Sequence, residues 1–170
     1  MRALVLSDTH LGADALDRLP DEVWRMADEA DVVLHAGDVV DPALLRALAE
    51  RAPVHAVLGN NDLALVGRLP ERLELDLAGV PVAMVHDSGP RAGRPARLRG
   101  WFPSAGVVVF GHSHDPLVEE HDGLLLVNPG SPTQRRRQPV HTVAWLEAVD
   151  GEARARVVPV GPLAVRSTGS

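Results

Sequence analysis

The chain has 170 residues, a formal net charge of −6 and no cysteine. This length predicts one domain that can bury a sizeable core. The absence of cysteine excludes disulfides and thiolate catalysis, so any metal site must use His, Asp, Glu or Asn. The acidic charge argues against non-specific binding of nucleic acid, but it permits a small anionic substrate held by bound cations.

The first residues and the hydropathy pattern predict a soluble, cytoplasmic protein. The first apolar run, residues 3–6, is too short for a signal peptide and leads at once to Asp8. No apolar run reaches the length of a transmembrane helix, so we expect a cytoplasmic protein without a membrane partner. We expect residues 1–165 to form a single domain and residues 166–170 to be a flexible tail.

The first half of the chain alternates strand and helix patterns. We predict strands over 2–7, 32–36 and 54–58, and a helix over 13–31 with Pro20 as a first helical residue. Asp41 followed by Pro42 is typical of a helix start, as N-cap and N1. Residues 63–69 predict a short helix or turn.

The second half is mostly strands and hairpins. The predicted elements are strands over 73–77, 80–85 and 107–110, a short helix around 95–102, and hairpins over 117–127 and 142–160. The hairpin turns are Asp122-Gly123 and Asp150-Gly151. This order fits two sheets packed face to face with helices outside.

Five apolar runs end abruptly in residues that can bind metals. The runs lead into Asp8 and His10, Asp38, Asn60 and Asp62, His86, and His112 and His114. Because ligands bind at the carboxyl ends of strands in open α/β folds, we expect these side chains to meet at one sheet edge.

A pair of divalent ions about 3.5–4 Å apart needs a small bridging carboxylate, and Asp38 can supply it. Asp8, His10 and one of the two late imidazoles can complete one ion. Asn60, His86 and the other imidazole can complete the second. The spacing alone leaves open which of His112 and His114 serves which ion.

In this order, the Asp-x-His, Gly-Asp, Gly-Asn-x-Asp, lone His and Gly-His-x-His motifs resemble the calcineurin-like metallophosphoesterase signature, in its short prokaryotic phosphodiesterase branch. The later Asn128-Pro129-Gly130-Ser131 segment resembles a loop of the same branch. The resemblance implies an α/β fold, a four-layer αββα sandwich of two mixed β-sheets flanked by helices. It implies a first ion on Asp8, His10, Asp38 and His114, and a second on Asp38, Asn60, His86 and His112.

The resemblance also implies the chemistry. A metal-bridging hydroxide would attack the phosphorus of a small phosphate ester in line, with both ions clamping the phosphoryl oxygens. It implies Mn²⁺ as the activator, although Fe, Co, Ni or Zn would also suit these ligands. The catalytic residues it implies are Asp8, Asp38, Asn60, Asp62 and His86.

Two positions depart from the family pattern. Many members have His where this chain has Asn61, and that His is the usual candidate to protonate the leaving oxygen. Because Asn cannot act as a general acid, Asn61 predicts either a preference for leaving groups that need no proton or protonation of the leaving group by water. Asp87 replaces a common Gly beside His86, and it could contact the second ion's surroundings or crowd the substrate.

Other readings remain open on the sequence alone. The retromer scaffold subunit resembles the same fold, so a protein-binding scaffold is the alternative from another functional class, and a phosphomonoesterase is the nearest rival enzyme. Exposed hairpin edges are compatible with a homodimer. We expect His35 to support the site or fill the core rather than bind a metal. The arginines of 91–99 and 135–137 could be solvated or could steer an anionic substrate.

Overall fold

The computed structural model describes residues 1–161, so the predicted tail, 166–170, and the predicted end of the domain lie outside the described residues. The strands are β1 (Arg2–Leu6), β2 (Val32–His35), β3 (Val54–Ala56), β4 (Arg72–Leu77), β5 (Val80–Val85), β6 (Val107–Val109), β7 (Leu117–His121), β8 (Leu124–Asn128), β9 (His141–Val149) and β10 (Glu152–Val160). The α-helices are α1 (Asp21–Glu29), α2 (Pro42–Ala49) and α3 (Arg94–Trp101). Two 3₁₀ helices cover Ala13–Arg18 and Leu63–Leu65.

The strands form two mixed five-stranded sheets. The first has the order β10-β9-β1-β2-β3, with β1, β2 and β3 parallel and β9 antiparallel to its neighbours. The second has the order β4-β5-β6-β8-β7, with β5, β6 and β8 parallel and the edge strands antiparallel. The architecture is therefore α/β with mixed sheets, as predicted.

Three buried apolar clusters separate the layers. One lies between the sheets and contains Val5 from β1, whereas a second contains the neighbouring Leu4 and packs under α1 and α2. The third packs Leu98 of α3 on the outer face of the second sheet. Because successive side chains of a strand point to opposite faces, a strand buried on both faces reads as a continuous apolar run. The predicted four-layer sandwich is confirmed.

Residues 13–31 are not one helix, and that prediction was wrong. A 3₁₀ helix ends at Arg18, and α1 begins only at Asp21, with Pro20 as its N-cap in an extended conformation rather than as a helical residue. Proline lacks an N–H donor and disfavours a helical residue before it, so the chain breaks there. The start of α2 is confirmed, since Asp41 Oδ1 accepts a hydrogen bond from Ala43 N at 2.7 Å.

The parallel strands bring the predicted ligands to one edge. β1, β2 and β3 in the first sheet, and β5 and β6 in the second, all end where the motif residues begin. None of the helices in residues 1–161 combines the length and the apolarity needed to cross a membrane.

Candidate metal centre

The backbone at the strand ends is bent into an unusual conformation. Five of the predicted ligands have left-handed φ values although none is glycine: Asp8 (54°), His10 (46°), Asp38 (58°), His112 (69°) and His114 (58°). Such residues are strained, and they persist only where surrounding contacts hold them, typically at functional sites. These residues lie in the loops that follow β1, β2 and β6.

The first group of side chains is Asp8, His10 and His114. Asp8 Oδ1 lies 3.3 Å from His114 Nε2 and 3.9 Å from His10 Nε2. The two imidazole Nε2 atoms are 3.4 Å apart, and the rings stack. Three potential ligand atoms thus converge on one point, and two of the three residues are buried.

The second group is Asp38, Asn60, His86 and His112. His86 Nε2 lies 3.4 Å from Asp38 Oδ2 and 3.0 Å from Asn60 Oδ1. His112 Nδ1 lies 3.0 Å from the same Asn60 oxygen. Asp38, Asn60 and His86 thus lie together, and His112 joins them through its contact with Asn60.

Asp38 connects the two groups. Its Oδ2 atom lies 3.5 Å from His10 Nε2 and 3.4 Å from His86 Nε2. This is the position that a carboxylate shared by two cations would occupy. The structure places His114 in the first group and His112 in the second, which is the division that the family resemblance implied.

The residues fit divalent cations. Ligand atoms bound at about 2.1 Å to one cation lie roughly 3.0–3.4 Å from one another, close to the separations found here. Asp8 Oδ1 is buried and has no hydrogen-bond partner among the described residues, although carboxylate oxygens rarely stay unsatisfied. A cation would satisfy it.

Two imidazoles are oriented by main-chain carbonyls. His86 Nδ1 donates to Ala36 O at 2.7 Å, and His114 Nδ1 donates to Gln134 O at 2.6 Å. With the proton fixed on Nδ1, the neutral ring directs an Nε2 lone pair at the carboxylates, which is the arrangement of metal-binding histidines.

Burial and neighbouring side chains shift the pKa values of three of these residues. Burial raises the pKa of Asp38, but the nearby His86 imidazole and the hydrogen bonds from Asn61 outweigh this and hold it below its usual range. Burial also opposes the lowered pKa of Asp8, where the nearby His114 imidazole and the hydrogen bond from Ser7 prevail. Burial lowers the pKa of His86, yet the Asp38 and Asp8 carboxylates raise it overall. Protons therefore compete with a cation for His86.

Asp62 and Asn61 hold Asp38 in place. Asp62 is buried, and its carboxylate accepts the backbone N–H groups of Asp38 (2.9 Å), Gly59 (2.7 Å) and Val40 (2.6 Å). Asn61 donates to both oxygens of Asp38. Asp62 thus contacts the backbone of the ligand loops, and the predicted catalytic role of Asp62 stays a prediction.

The loop after β8, which carries the Asn128-Pro129-Gly130-Ser131 resemblance, makes contacts with the site that the sequence did not predict. Ser131 Oγ donates to Asp8 O at 2.8 Å, and Thr133 Oγ1 donates to Thr9 O at 2.6 Å. Gln134 supplies the carbonyl that orients His114. The sequence could have indicated that this loop lies near the site, because it follows β8, a strand of the sheet that also contains β6. A contact made through a main-chain carbonyl could not be predicted, because every residue type has that carbonyl.

The remaining candidates lie outside the ligand groups. His35 is buried, and its Nε2 lies 3.0 Å from Thr9 Oγ1, so it supports the first loop. Asp87 is exposed and accepts a hydrogen bond from Gly89 N. Arg97 and Arg99 donate to main-chain carbonyls. A cavity of about 470 Å³ lies at the far end of the sandwich, beside Glu147 and Asp150.

Comparison with known proteins identifies the family of this chain. Residues 1–151 match the calcineurin-like phosphoesterase superfamily domain. The chain belongs to this superfamily. A probable metallophosphoesterase of Methanocaldococcus jannaschii is 34% identical over 159 residues, which cover 92% of this chain and 80% of that protein. The predicted family is therefore confirmed, and the superfamily assignment supports a hydrolase.

Two further proteins to which the chain is similar differ in what their names state. A phosphodiesterase of Methanocaldococcus jannaschii is 24% identical over 144 residues, covering 76% of this chain and 83% of that protein. The crystal structure of Entamoeba histolytica Vps29 complexed with Zn²⁺ has a TM-score of 0.73 and 22% identity, covering 94% of this chain and 99% of that one. This last likeness concerns the fold alone.

Proposed function

We propose that the protein is a metal-dependent phosphodiesterase that uses two divalent ions, with Mn²⁺ as activator. The observation that carries the proposal is the position of Asp38 Oδ2, within 3.5 Å of an imidazole nitrogen from each ligand group. The proposed ligands of the first ion are Asp8, His10, Asp38 and His114. Those of the second are Asp38, Asn60, His86 and His112.

Two such ions, when bound, neutralise charge on a phosphoryl group and activate water for in-line attack. The protein's contribution is positioning. His86 and His114 are oriented by carbonyls, and Asp38 is held by Asn61 and Asp62, so the ligand set needs little rearrangement. Preorganisation of this kind accounts for much of the rate in phosphoryl transfer.

The presence of Asn61 supports a diester substrate whose leaving group is stable without protonation. Its amide can donate a hydrogen bond but cannot give up a proton near neutral pH. A nitrophenolate needs no proton to depart, whereas an alkoxide does. The phosphodiesterase named among the relatives also supports diesters over monoesters.

The test is hydrolysis of bis(4-nitrophenyl) phosphate and 4-nitrophenyl phosphate by metal-stripped protein, before and after addition of Mn²⁺. We expect Mn²⁺-dependent turnover that is faster with the diester. An Asp38→Asn variant should be inactive. A matched Asp28→Asn variant, which changes only a surface pair with Arg51, should retain activity.

A second candidate function is a protein-binding scaffold on the same fold. Leu63 is 82% exposed and Val66 is 64% exposed, directly after the Asn60 loop, and exposed apolar side chains of this size favour contact with another molecule. The fold of Vps29 is compatible with such a role. Absence of turnover with Mn²⁺, Fe²⁺, Co²⁺, Ni²⁺ and Zn²⁺ in folded protein would favour the scaffold.

A further inference from the structure

The loop after β6, residues 111–114, supplies one imidazole to each ligand group. His112 lies in the second group and His114 in the first, and both have left-handed φ values. A strained backbone of this kind keeps its shape only where contacts from elsewhere in the fold hold it. The contacts that hold this loop therefore affect both ligand groups.

Asn128, the last residue of β8, contacts this loop through its side-chain amide. Its Nδ2 donates to Gly111 O at 3.1 Å and to Ser113 Oγ at 3.2 Å. Gly111 and Ser113 flank His112 in sequence, and Ser113 also directly precedes the second imidazole of the loop. Within residues 1–161, no other side chain donates a hydrogen bond to a carbonyl of this loop.

The other end of the same amide holds the loop after β8. Asn128 Oδ1 accepts a hydrogen bond from Gly130 N at 2.9 Å. This second loop continues to Gln134, whose carbonyl accepts from His114 Nδ1 at 2.6 Å. Asn128 thus joins the loop that carries both imidazoles to the loop that orients one of them.

The chemistry of these partners suits an amide at position 128. Asn128 is fully buried, and one side of its amide faces an N–H donor, whereas the other side faces a carbonyl and a hydroxyl. An amide presents an acceptor and two donors in one plane, so it satisfies all three partners. An aliphatic residue of the same size would leave the Gly130 N–H without this acceptor and the two loops without their link.

The loop after β6 is also fixed against the first ligand group through its backbone. The His112 N–H donates to Asp8 Oδ2 at 3.0 Å, so a proposed ligand of the first ion contacts the main chain of a proposed ligand of the second. A displacement of residues 111–114 would therefore disturb both ligand groups at once.

We propose that Asn128 is a positioning residue that sets both ion sites together, by holding residues 111–114 against the loop after β8. Its contacts are with main-chain groups and the Ser113 hydroxyl, so it acts through the two histidines and takes no part in bond breaking. This rests on the proposed function, because it assumes that two ions bind to the two ligand groups.

The first experiment is calorimetric titration of the metal-stripped protein with Mn²⁺. The wild-type protein should bind two ions, and Asn128→Ala should bind each of them about tenfold more weakly or worse, as is typical when a residue that orients metal ligands is lost. Ser113→Ala removes only one of the two acceptors of the amide, so it should weaken the binding of both ions to a smaller extent.

Val108→Ala is the matched control. Val108 is fully buried in β6, in register with Leu126 of β8, and its truncation destabilises the same sheet without removing a contact of either loop. The melting temperature of this variant should fall, while its affinities for Mn²⁺ should equal those of the wild-type protein.

A second readout needs no ion. Long-range ¹H–¹⁵N NMR spectra of the metal-stripped protein, recorded at about pH 9 where imidazoles are neutral, distinguish a histidine protonated on Nδ1 from one protonated on Nε2. In the wild-type protein His114 and His86 should both be protonated on Nδ1, because each donates to a carbonyl. Asn128→Ala should give His114 a mixture of the two tautomers and leave His86 unchanged, since the carbonyl of Ala36 lies outside both loops.

The outcomes separate this proposal from the proposed function. Wild-type Mn²⁺ affinities in the folded variants, or a loss confined to one ion, would overturn the joint positioning, and so would equal effects of Asn128→Ala and Val108→Ala on affinity. If Asn128→Ala does not fold, Ser113→Ala decides by the same criteria. Binding of fewer than two ions by the wild-type protein would reject the two-ion centre, while the His114 tautomer would still decide whether Asn128 positions that imidazole.

Discussion

Asn61 donates to both carboxylate oxygens of Asp38, from its backbone N–H to Oδ1 at 2.8 Å and from its side-chain amide to Oδ2 at 2.7 Å. The residue at this position thus reaches the oxygen that lies between the two ligand groups. A longer side chain with an exchangeable proton at the same position would lie near a bound ester as well.

Asn61→His is expected to change the dependence on the leaving group. An imidazolium can protonate a departing alkoxide. General acid catalysis raises the rate by about 10²-fold or more where the leaving group is poor. We expect a clear gain on alkyl esters and little gain on nitrophenyl esters. The measurement is kcat/KM across a series of diesters of increasing leaving-group pKa, where the variant should show the shallower slope. An unchanged slope would remove the argument that Asn61 limits leaving-group protonation.

Asp38→Ala and His35→Ala are expected to differ in metal content. Asp38→Ala removes the shared oxygen, so it should lose both ions and reduce activity by about a hundredfold or more. His35 contacts Thr9 rather than the ligand atoms, so its variant should keep its ions and lose less activity. Metal stoichiometry by mass spectrometry, with circular dichroism as the folding control, checks this. Equal losses in two folded variants would show that the ligand assignment is wrong.

His35 is expected to make stability depend on pH in the metal-stripped protein. Burial lowers the pKa of His35 to about 4, from an ordinary value of 6.5. Between pH 6.5 and pH 4, His35 is therefore protonated in the unfolded chain and neutral in the folded protein. The stabilisation is fully present above pH 6.5 and falls by up to about 3 kcal/mol as the pH drops to 4.

The measurement is the free energy of unfolding in urea between pH 7 and pH 4.5, with EDTA present. His35→Gln cannot titrate, so its stability should fall less steeply over this range than that of the wild-type protein. The comparison isolates His35, because His10 and His86 titrate in both proteins. Parallel pH profiles would contradict the prediction.

Gly59→Ala is expected to damage the site through simple steric contact. A Cβ atom at Gly59 would lie 2.9 Å from Asp38 Cα and closer still to Asp38 N and Oδ1. The Asp38 loop would have to move, at a cost of about 1–3 kcal/mol and with weaker metal binding. Gly100→Ala is the control, because that glycine lies in α3 with nothing near its Cβ position. It should gain about 0.5–1 kcal/mol.

Thermal unfolding with and without Mn²⁺ checks this pair. Bound Mn²⁺ should stabilise the Gly100→Ala variant as it stabilises the wild-type protein, and should stabilise Gly59→Ala less, since ligand binding to the folded state raises the melting temperature according to its affinity. If Gly59→Ala bound Mn²⁺ normally, the close approach of Gly59 and Asp38 would be irrelevant to the site.

Local patterns determined most of the fold. Buried strands read as continuous apolar runs, as in β1 and β6, because both faces of each sheet are covered. Caps such as Asp41 and turns such as Asp122-Gly123 are encoded within a few residues, so they could be predicted without any tertiary information. The helix break at Pro20 was missed. The apolar residues after Pro20 have helical spacing, and residues 13–19 were assigned to the same helix.

The convergence of the motifs was also predictable, because each follows a strand whose carboxyl end points to the same edge. The tertiary structure alone decided how they meet. The left-handed backbone at Asp8 and His112 and the contacts of Asp62 with three backbone N–H groups depend on loops distant in sequence. Such contacts arise only when two sheets pack, since residue type and spacing carry no record of which partner a side chain or carbonyl will find.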